Sequence, residues 1–250
     1  MKKLIKRALM KLGYRIEGTR YTPRHLLDRA NVKPLEFDDV ICRYMFEFGE
    51  NCSFIQIGAY DGITTDPLRM YIERCGWRGV MLEPQPAANH KLRELYRGNT
   101  NVVILEAALD SHSGKRKLYA VRSGALPGWA GGMASFNRGH ILKHEYLIHG
   151  IGNMIDELTV NCMPFDEVLK YVPGDNLDLL QIDAEGADGD IIALFPFCRM
   201  RPAIVHWEIK NMTRRQIEET LDLLIEQGYL ISRSGQEDML AVGFLSREAW

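Results

Sequence analysis

The chain has 250 residues, 46% of them hydrophobic and 26% charged, with a net charge of −2. That length supports one large domain with a buried core, and the balanced composition excludes a disordered or fibrous chain. The near-neutral charge excludes the basic excess of a duplex-binding protein, so no nucleic-acid partner is expected.

Charge is unevenly spread. Residues 1–24 carry Lys2, Lys3, Lys6, Arg7, Lys11, Arg15, Arg20 and Arg24 against one acid, Glu17, so a basic arm precedes an acidic body. Within residues 1–12, Leu4, Ile5, Ala8, Leu9 and Leu12 share one helical face, with basic side chains opposite. Such a helix is a candidate for peripheral membrane contact, or for packing on the domain or a partner chain. Residues 13–35 read as a connector broken by Pro23 and Pro34, which leaves 36–250 as the main domain. Cys42, Cys52, Cys75, Cys162 and Cys198 are odd in number and contain no C-x-x-C pair. They predict neither a disulfide framework nor a structural zinc, and they fit a reducing, cytoplasmic setting. No apolar run reaches the roughly 18 residues of a membrane span, and no secretory signal is evident.

A lead-in helix is expected over 35–48, and an alternating rhythm begins at residue 53. Apolar strands are expected at 53–57, 79–82, 102–105, 159–163, 177–182 and 203–205, with helices at 66–75, 86–96, 164–171 and 187–195. Residues 111–152 interrupt the rhythm with an extended stretch (115–121), a Gly-rich loop (124–132) and a short helix (139–149). A long helix, capped by Thr213 and closed by Gly228, leads to strands at 229–232 and 240–245. Apolar strands alternating with helices predict a mostly parallel open α/β sheet with helices on both faces. The short link before the last strand forbids a crossover helix, so an antiparallel C-terminal hairpin is expected. A parallel sheet ending in an antiparallel hairpin resembles the Rossmann-like class I methyltransferase architecture.

Ligands of an open parallel sheet bind beyond the C-terminal ends of the strands. Those positions carry Gly58-Ala59-Tyr60-Asp61-Gly62, Glu83-Pro84, Glu106-Ala107-Ala108, Asp183-Ala184-Glu185-Gly186 and His206-Trp207-Glu208. Glycines let the backbone turn tightly against a ligand, and a carboxylate at the end of the second strand suits a ribose diol. A nucleoside cofactor follows, without its identity. The loop lacks both G-x-G-x-x-G and a P-loop.

The segments 54–62, 80–84, 107–110, 179–187 and 202–208 resemble those of FkbM-type methyltransferases. The likeness spans about residues 50–245, with I-D-x-E-G-A at 182–187 its most specific element. Gln56 stands where methyltransferases often have Asp, and His206-Trp207 depart from the pattern. The resemblance implies S-adenosylmethionine as cofactor and methylation of oxygen. By position, Gly58, Ala59, Asp61 and Gly62 would line methionine and ribose, Glu83 would hold the ribose hydroxyls, and Ala107 would lie along adenine.

An alcohol needs a base, or a metal that lowers its pKa, before it attacks a methyl group. Asp183 or His206 is the candidate base, with Glu208 as partner, since residues 206 and 208 share a strand face. Asp183, Glu185 and Glu208 are alternatively candidate ligands of a divalent cation, or Asp183 and Glu185 merely cap the following helix. His140 and His144 have ligand spacing but no evident third ligand, and they read as a solvated helix face. Trp129, amid glycines, is a candidate to stack on an acceptor ring, and 111–152 is where acceptor specificity is expected. The acceptor expected by analogy is a small molecule or glycan hydroxyl. The competing readings are an NAD-linked oxidoreductase and a non-catalytic protein docked to a membrane or synthase complex.

Overall fold

The computed structural model describes residues 35–244 except 123 and 127. The expected basic helix and connector lie outside the described residues, apart from residue 35.

In chain order the elements begin with helix α1 (Phe37–Phe48), strand β1 (Ser53–Ile57), α2 (Arg69–Cys75), β2 (Arg78–Leu82), α3 (Pro86–Leu95) and β3 (Val102–Leu105). The middle of the chain forms β4 (Ala108–Leu109), β5 (Gly114–Val121), β6 (Ala134–Ser135), α4 (Arg138–Leu142), β7 (Ile155–Met163) and α5 (Phe165–Val168). The remainder is β8 (Leu179–Ile182), α6 (Asp188–Leu194), β9 (Ile204–Glu208), α7 (Arg214–Glu226), β10 (Leu230–Ser234) and β11 (Asp238–Val242).

Seven strands form the main sheet in the order β10-β11-β9-β8-β1-β2-β3. Strands β3, β2, β1, β8 and β9 are parallel, and β11 runs antiparallel to both β9 and β10. Alternation along each strand builds two cores. On one face Ile55, Ile57, Val80, Leu82, Leu180, Ile182, Val205 and Trp207 pack with Ile191 and Ile192 of α6 and Leu221 and Leu224 of α7. On the other, Phe54, Met81, Leu179, Ile204 and Leu240 pack with Phe37, Val40, Ile41 and Tyr44 of α1 and with Tyr71, Ile72 and Leu92 of α2 and α3. Helices therefore cover both faces, the open α/β arrangement expected from the sequence.

Strand order reverses at β1, whose neighbours are β2 and β8, and this opens a crevice beyond their C-terminal ends. The loops after β1 and β8 meet there closely: a Cβ on Gly58 would lie 1.8 Å from the Asp183 carbonyl oxygen. Gly58 also has φ 81°, so glycine is required twice over at this position.

Three local expectations are revised. The helix foreseen from residue 66 starts at Arg69, because the Asp66 carboxylate accepts the Leu68 N–H at 2.7 Å and turns the chain first. The helix foreseen over 139–149 splits into α4 and a 3₁₀ turn at Lys143–Tyr146. The strand foreseen at 159–163 is longer and stands outside the main sheet, in a second sheet ordered β4-β7-β5-β6. Its partner β5 exposes Gly114, Lys115, Arg116 and Lys117, a half-polar pattern suited to a surface ribbon and unlike the buried parallel strands.

Candidate active site

The crevice is a cleft of about 780 Å³ running from the β1–β2 loops to the ends of β8 and β9, roofed by the segment between β5 and β7.

At one end stands Glu83, 3% exposed at the tip of β2. One carboxylate oxygen accepts the Tyr60 N–H at 2.8 Å and the other the Gln85 N–H at 2.8 Å. The Gln85 side chain also bonds the carboxylate, which still leaves acceptor capacity for a ligand hydroxyl. Burial, only partly offset by those N–H bonds, pushes its pKa up to about 7. Tyr60 takes φ 47°, a strained conformation that aims its N–H at Glu83. Asn89, fully buried in α3, donates to the carbonyls of Glu83 and Leu105 and so ties together the ends of β2 and β3. Gln85 reaches across the cleft to the Gly132 carbonyl at 3.2 Å.

Gly58, Ala59 and Ala107 line the cleft, whereas Asp61 and Gly62 support the loop from behind. Asp61 accepts the N–H groups of Ile63 and Thr64 at 3.0 and 2.8 Å. Burial would raise its pKa, but these bonds and the Thr64 hydroxyl outweigh that and hold it low. A Cβ on Gly62 would meet Leu92 at 2.6 Å, so this glycine seats the loop on α3. Gln56 donates to Asp66 at 3.2 Å, and its buried Oε1 has no hydrogen-bond partner among the described residues.

The other end is acidic. Asp183 follows β8 and keeps an open face to the cleft, although protein atoms crowd its base. That crowding, then the charges of Asp188, Glu185 and Asp238, raises its pKa. Glu208, at the end of β9, is pushed up to about 9 by burial and then by Asp183, Glu185 and Asp188. Asp188 is fully buried and accepts the N–H groups of Ala184 and Gly186 at 3.3 and 3.1 Å, which folds the I-D-x-E-G loop back on itself. Asp188 is thus the acid that pins the start of α6, where Asp183 and Glu185 had been the alternatives. Asn211 donates to Glu185 Oε2 at 2.9 Å and Glu208 Oε2 at 3.1 Å and bridges the two carboxylates.

His206 does not pair with Glu208. Its Nδ1 lies 2.6 Å from Gln181 Oε1 and its ring packs on Phe37 at 4.6 Å. Burial in that apolar layer drives its pKa down to about 3, which makes it a poor proton acceptor. The solvated face expected for His140 is also revised, since that residue is 7% exposed and packs over the 183–186 loop. Among the described residues no group of three or more His, Cys, Asp or Glu side chains is set to hold a metal ion, Asp183, Glu185 and Glu208 included. The side chain of Trp129 lies outside what is described.

The methyltransferase FkbM domain matches residues 56–231, which is most of the chain. The chain belongs to the FkbM methyltransferase family. No protein with a curated description matches this family member. A methyltransferase FkbM from Methylobacillus flagellatus KT is a structural neighbour at 11% identity and TM-score 0.45; the match covers 77% of this chain and 44% of that one. Fibrillarin of Aeropyrum pernix, solved with S-adenosyl-L-methionine, is 12% identical with TM-score 0.41, over 81% of this chain and 72% of its own. The N-terminal domain of human METTL16, solved with SAH, is 10% identical with TM-score 0.42, over 96% and 80% respectively.

Sequence reasoning missed Asn89, Gln85, Asp188 and Asn211. Asn89 and Asp188 follow strand ends within short helices, where a buried polar residue on the sheet-facing side is the one available signal. Nothing local marks Asn211.

Proposed function

We propose that this FkbM-family chain transfers the methyl group of S-adenosylmethionine to a hydroxyl oxygen of a sugar or related small molecule. The observation that carries the reading is Glu83: a buried carboxylate, fixed by two backbone N–H bonds and by the Gln85 side chain, with acceptor capacity left at the edge of the cleft. That geometry suits a vicinal diol such as ribose. Gly58, held without a Cβ against the Asp183 carbonyl, and the small buried Ala107 leave room for a flat nucleoside beside it.

When bound, the cofactor supplies an electrophilic methyl on a positively charged sulfur. At the far end of the cleft burial holds Asp183 and Glu208 toward their protonated forms, so that end offers carboxyl groups able to donate as well as accept hydrogen bonds. A cleft of 780 Å³ lies high in the range for single-ligand sites, which supports room for an acceptor beside the cofactor. An acceptor end lined by such carboxyl groups suits the hydroxyls of a neutral polyol. Five unpaired cysteines support a reducing, cytoplasmic setting, with residues 1–12 as a contact for a membrane surface. Among the described residues no helix is long and apolar enough to cross a membrane.

Thermal unfolding with added nucleosides tests the reading. S-adenosylhomocysteine should raise the melting temperature and NADH should not. Stabilisation by NADH alone would replace methyl transfer with hydride chemistry, and stabilisation by neither would leave a cofactor fold without its cofactor.

A further inference from the structure

We propose that His140, brought into the cleft by the segment between β5 and β7, takes the proton of the acceptor hydroxyl, with Glu185 near enough to offset the charge that forms. The proposal rests on the methyl-transfer reading above and assigns the base within it.

His140 lines the cleft at 7% exposure, yet its Nε2 has no hydrogen-bond partner among the described residues. A buried ring nitrogen left unbonded in a native fold calls for a reason, and a hydroxyl to be bound there supplies one. Glu185 Oε2 stands 3.7 Å from the same Nε2, too far for a hydrogen bond and near enough to stabilise an imidazolium.

The approach of the ring is built into the loop. Glu185 adopts φ 51° and Gly186 φ 92°, and a Cβ on Gly186 would lie 3.2 Å from His140 Cε1 and 2.9 Å from the Asn211 carbonyl. Glycine here lets the imidazole sit over the I-D-x-E-G turn. Glu185, a non-glycine residue at positive φ, costs stability that a packing role alone would not require. From the other side, Asn137 caps α4 through the Gly139 N–H at 2.9 Å. Ile141, fully buried with Val121, Met133 and Ile151, anchors that helix to its own small core. The ring is therefore held from two independent parts of the chain.

The alternative histidine is placed for a different task. His206 Nε2 is likewise buried without a partner among the described residues, but its Nδ1 is held by Gln181, its ring lies tilted against Phe37, and burial in that layer drives its pKa down to about 3, so it is the poorer base. In the step proposed, the acceptor oxygen forms a bond to the methyl carbon while the carbon–sulfur bond breaks. The electron pair of that bond goes to sulfur and leaves a neutral thioether. The hydroxyl proton moves to His140 Nε2, where Glu185 offsets the new charge, and then leaves to solvent through the cleft mouth.

The test uses the full chain, tritium-labelled S-adenosylmethionine and a polar low-molecular-weight cell extract as acceptor pool. His140→Ala should lose label transfer by about 10²- to 10⁴-fold, the usual contribution of a general base. Its affinity for S-adenosylhomocysteine should stay at the wild-type value, which also reports an intact fold. Free imidazole should restore part of the transfer to His140→Ala and none to His140→Gln, whose amide fills the space. Transfer at the wild-type rate in His140→Ala, or a loss that imidazole does not relieve, would overturn the assignment. If the wild-type chain binds S-adenosylhomocysteine but labels nothing in the extract, the methyl-transfer reading fails first and takes this proposal with it.

Discussion

Replacing Glu83 by Gln probes the cofactor reading at its most constrained point. The carboxylate accepts one backbone N–H on each oxygen, from Tyr60 and from Gln85, both at 2.8 Å. An amide has a single oxygen, so its NH2 group must face one of those donors and leave that N–H unsatisfied. The ligand hydroxyls lose a charged acceptor at the same time. A hydrogen bond to a charged group contributes about 1.5–3 kcal/mol, so losing two costs roughly 3–6 kcal/mol. If rearrangement recovers part of that, about 3 kcal/mol remains, or roughly a 100-fold rise in Kd. A second signature comes from pH. Burial pushes the Glu83 pKa up to about 7, above its ordinary value, so the folded protein holds a proton that the unfolded chain releases. Ionisation of Glu83 therefore opposes folding as pH rises toward 7, and a ligand that donates hydroxyls to the carboxylate offsets this. Affinity for S-adenosylhomocysteine should fall by nearly tenfold per pH unit below about 7 in the wild type, and the dependence should vanish in Glu83→Gln. Calorimetric titration at pH 6 and pH 8 reads both effects. Equal affinities for wild type and variant, or an affinity indifferent to pH, would refute the placement of the ribose on Glu83.

Asp183→Asn keeps the size and backbone of the loop residue facing the cleft; with His140 as the base it should leave S-adenosylhomocysteine affinity intact and lower methyl transfer less than His140→Ala does, whereas a loss as large as that of His140→Ala would return the proton-accepting role to Asp183. Glu208→Gln should stabilise the protein. The folded pKa of Glu208, about 9, lies above its unfolded value of 4.5, so its contribution to stability falls as pH rises between them. The amide carries no such penalty and still accepts from Asn211. A gain of about 1–3 kcal/mol at pH 8 that disappears at pH 4, read by urea unfolding, is expected. Gly58→Ala would force a Cβ to within 1.8 Å of the Asp183 carbonyl at a φ of 81°. Its cost should exceed about 3 kcal/mol in the same assay, and wild-type stability would mean that the two loops do not touch.

The main sheet was legible because its strands are continuous apolar runs, a pattern that only a strand buried on both faces sustains. The antiparallel edge followed from the short link between β10 and β11. The second sheet was not legible. Its β5–β7 pair joins residues about forty positions apart in sequence, and its exposed half looks like any polar loop. The surroundings of His140 and His206 were not legible for a related reason. Solvation depends on what packs above a side chain. Phe37 of α1 covers His206, and the 183–186 turn lies beneath His140.

Local chemistry along the chain thus determined which residues gather beyond the strand ends, because strand–turn–helix punctuation is written in Gly, Asp and Glu within a few positions. Tertiary structure alone decided how those residues are wired. The Asn211 bridge between Glu185 and Glu208, the Gln181 bond to His206 and the seating of His140 over Gly186 each join segments that meet only after the sheet has formed. Partners distant in the chain leave no local pattern, and burial, which sets the proton affinities of these groups, is a property of the assembled core.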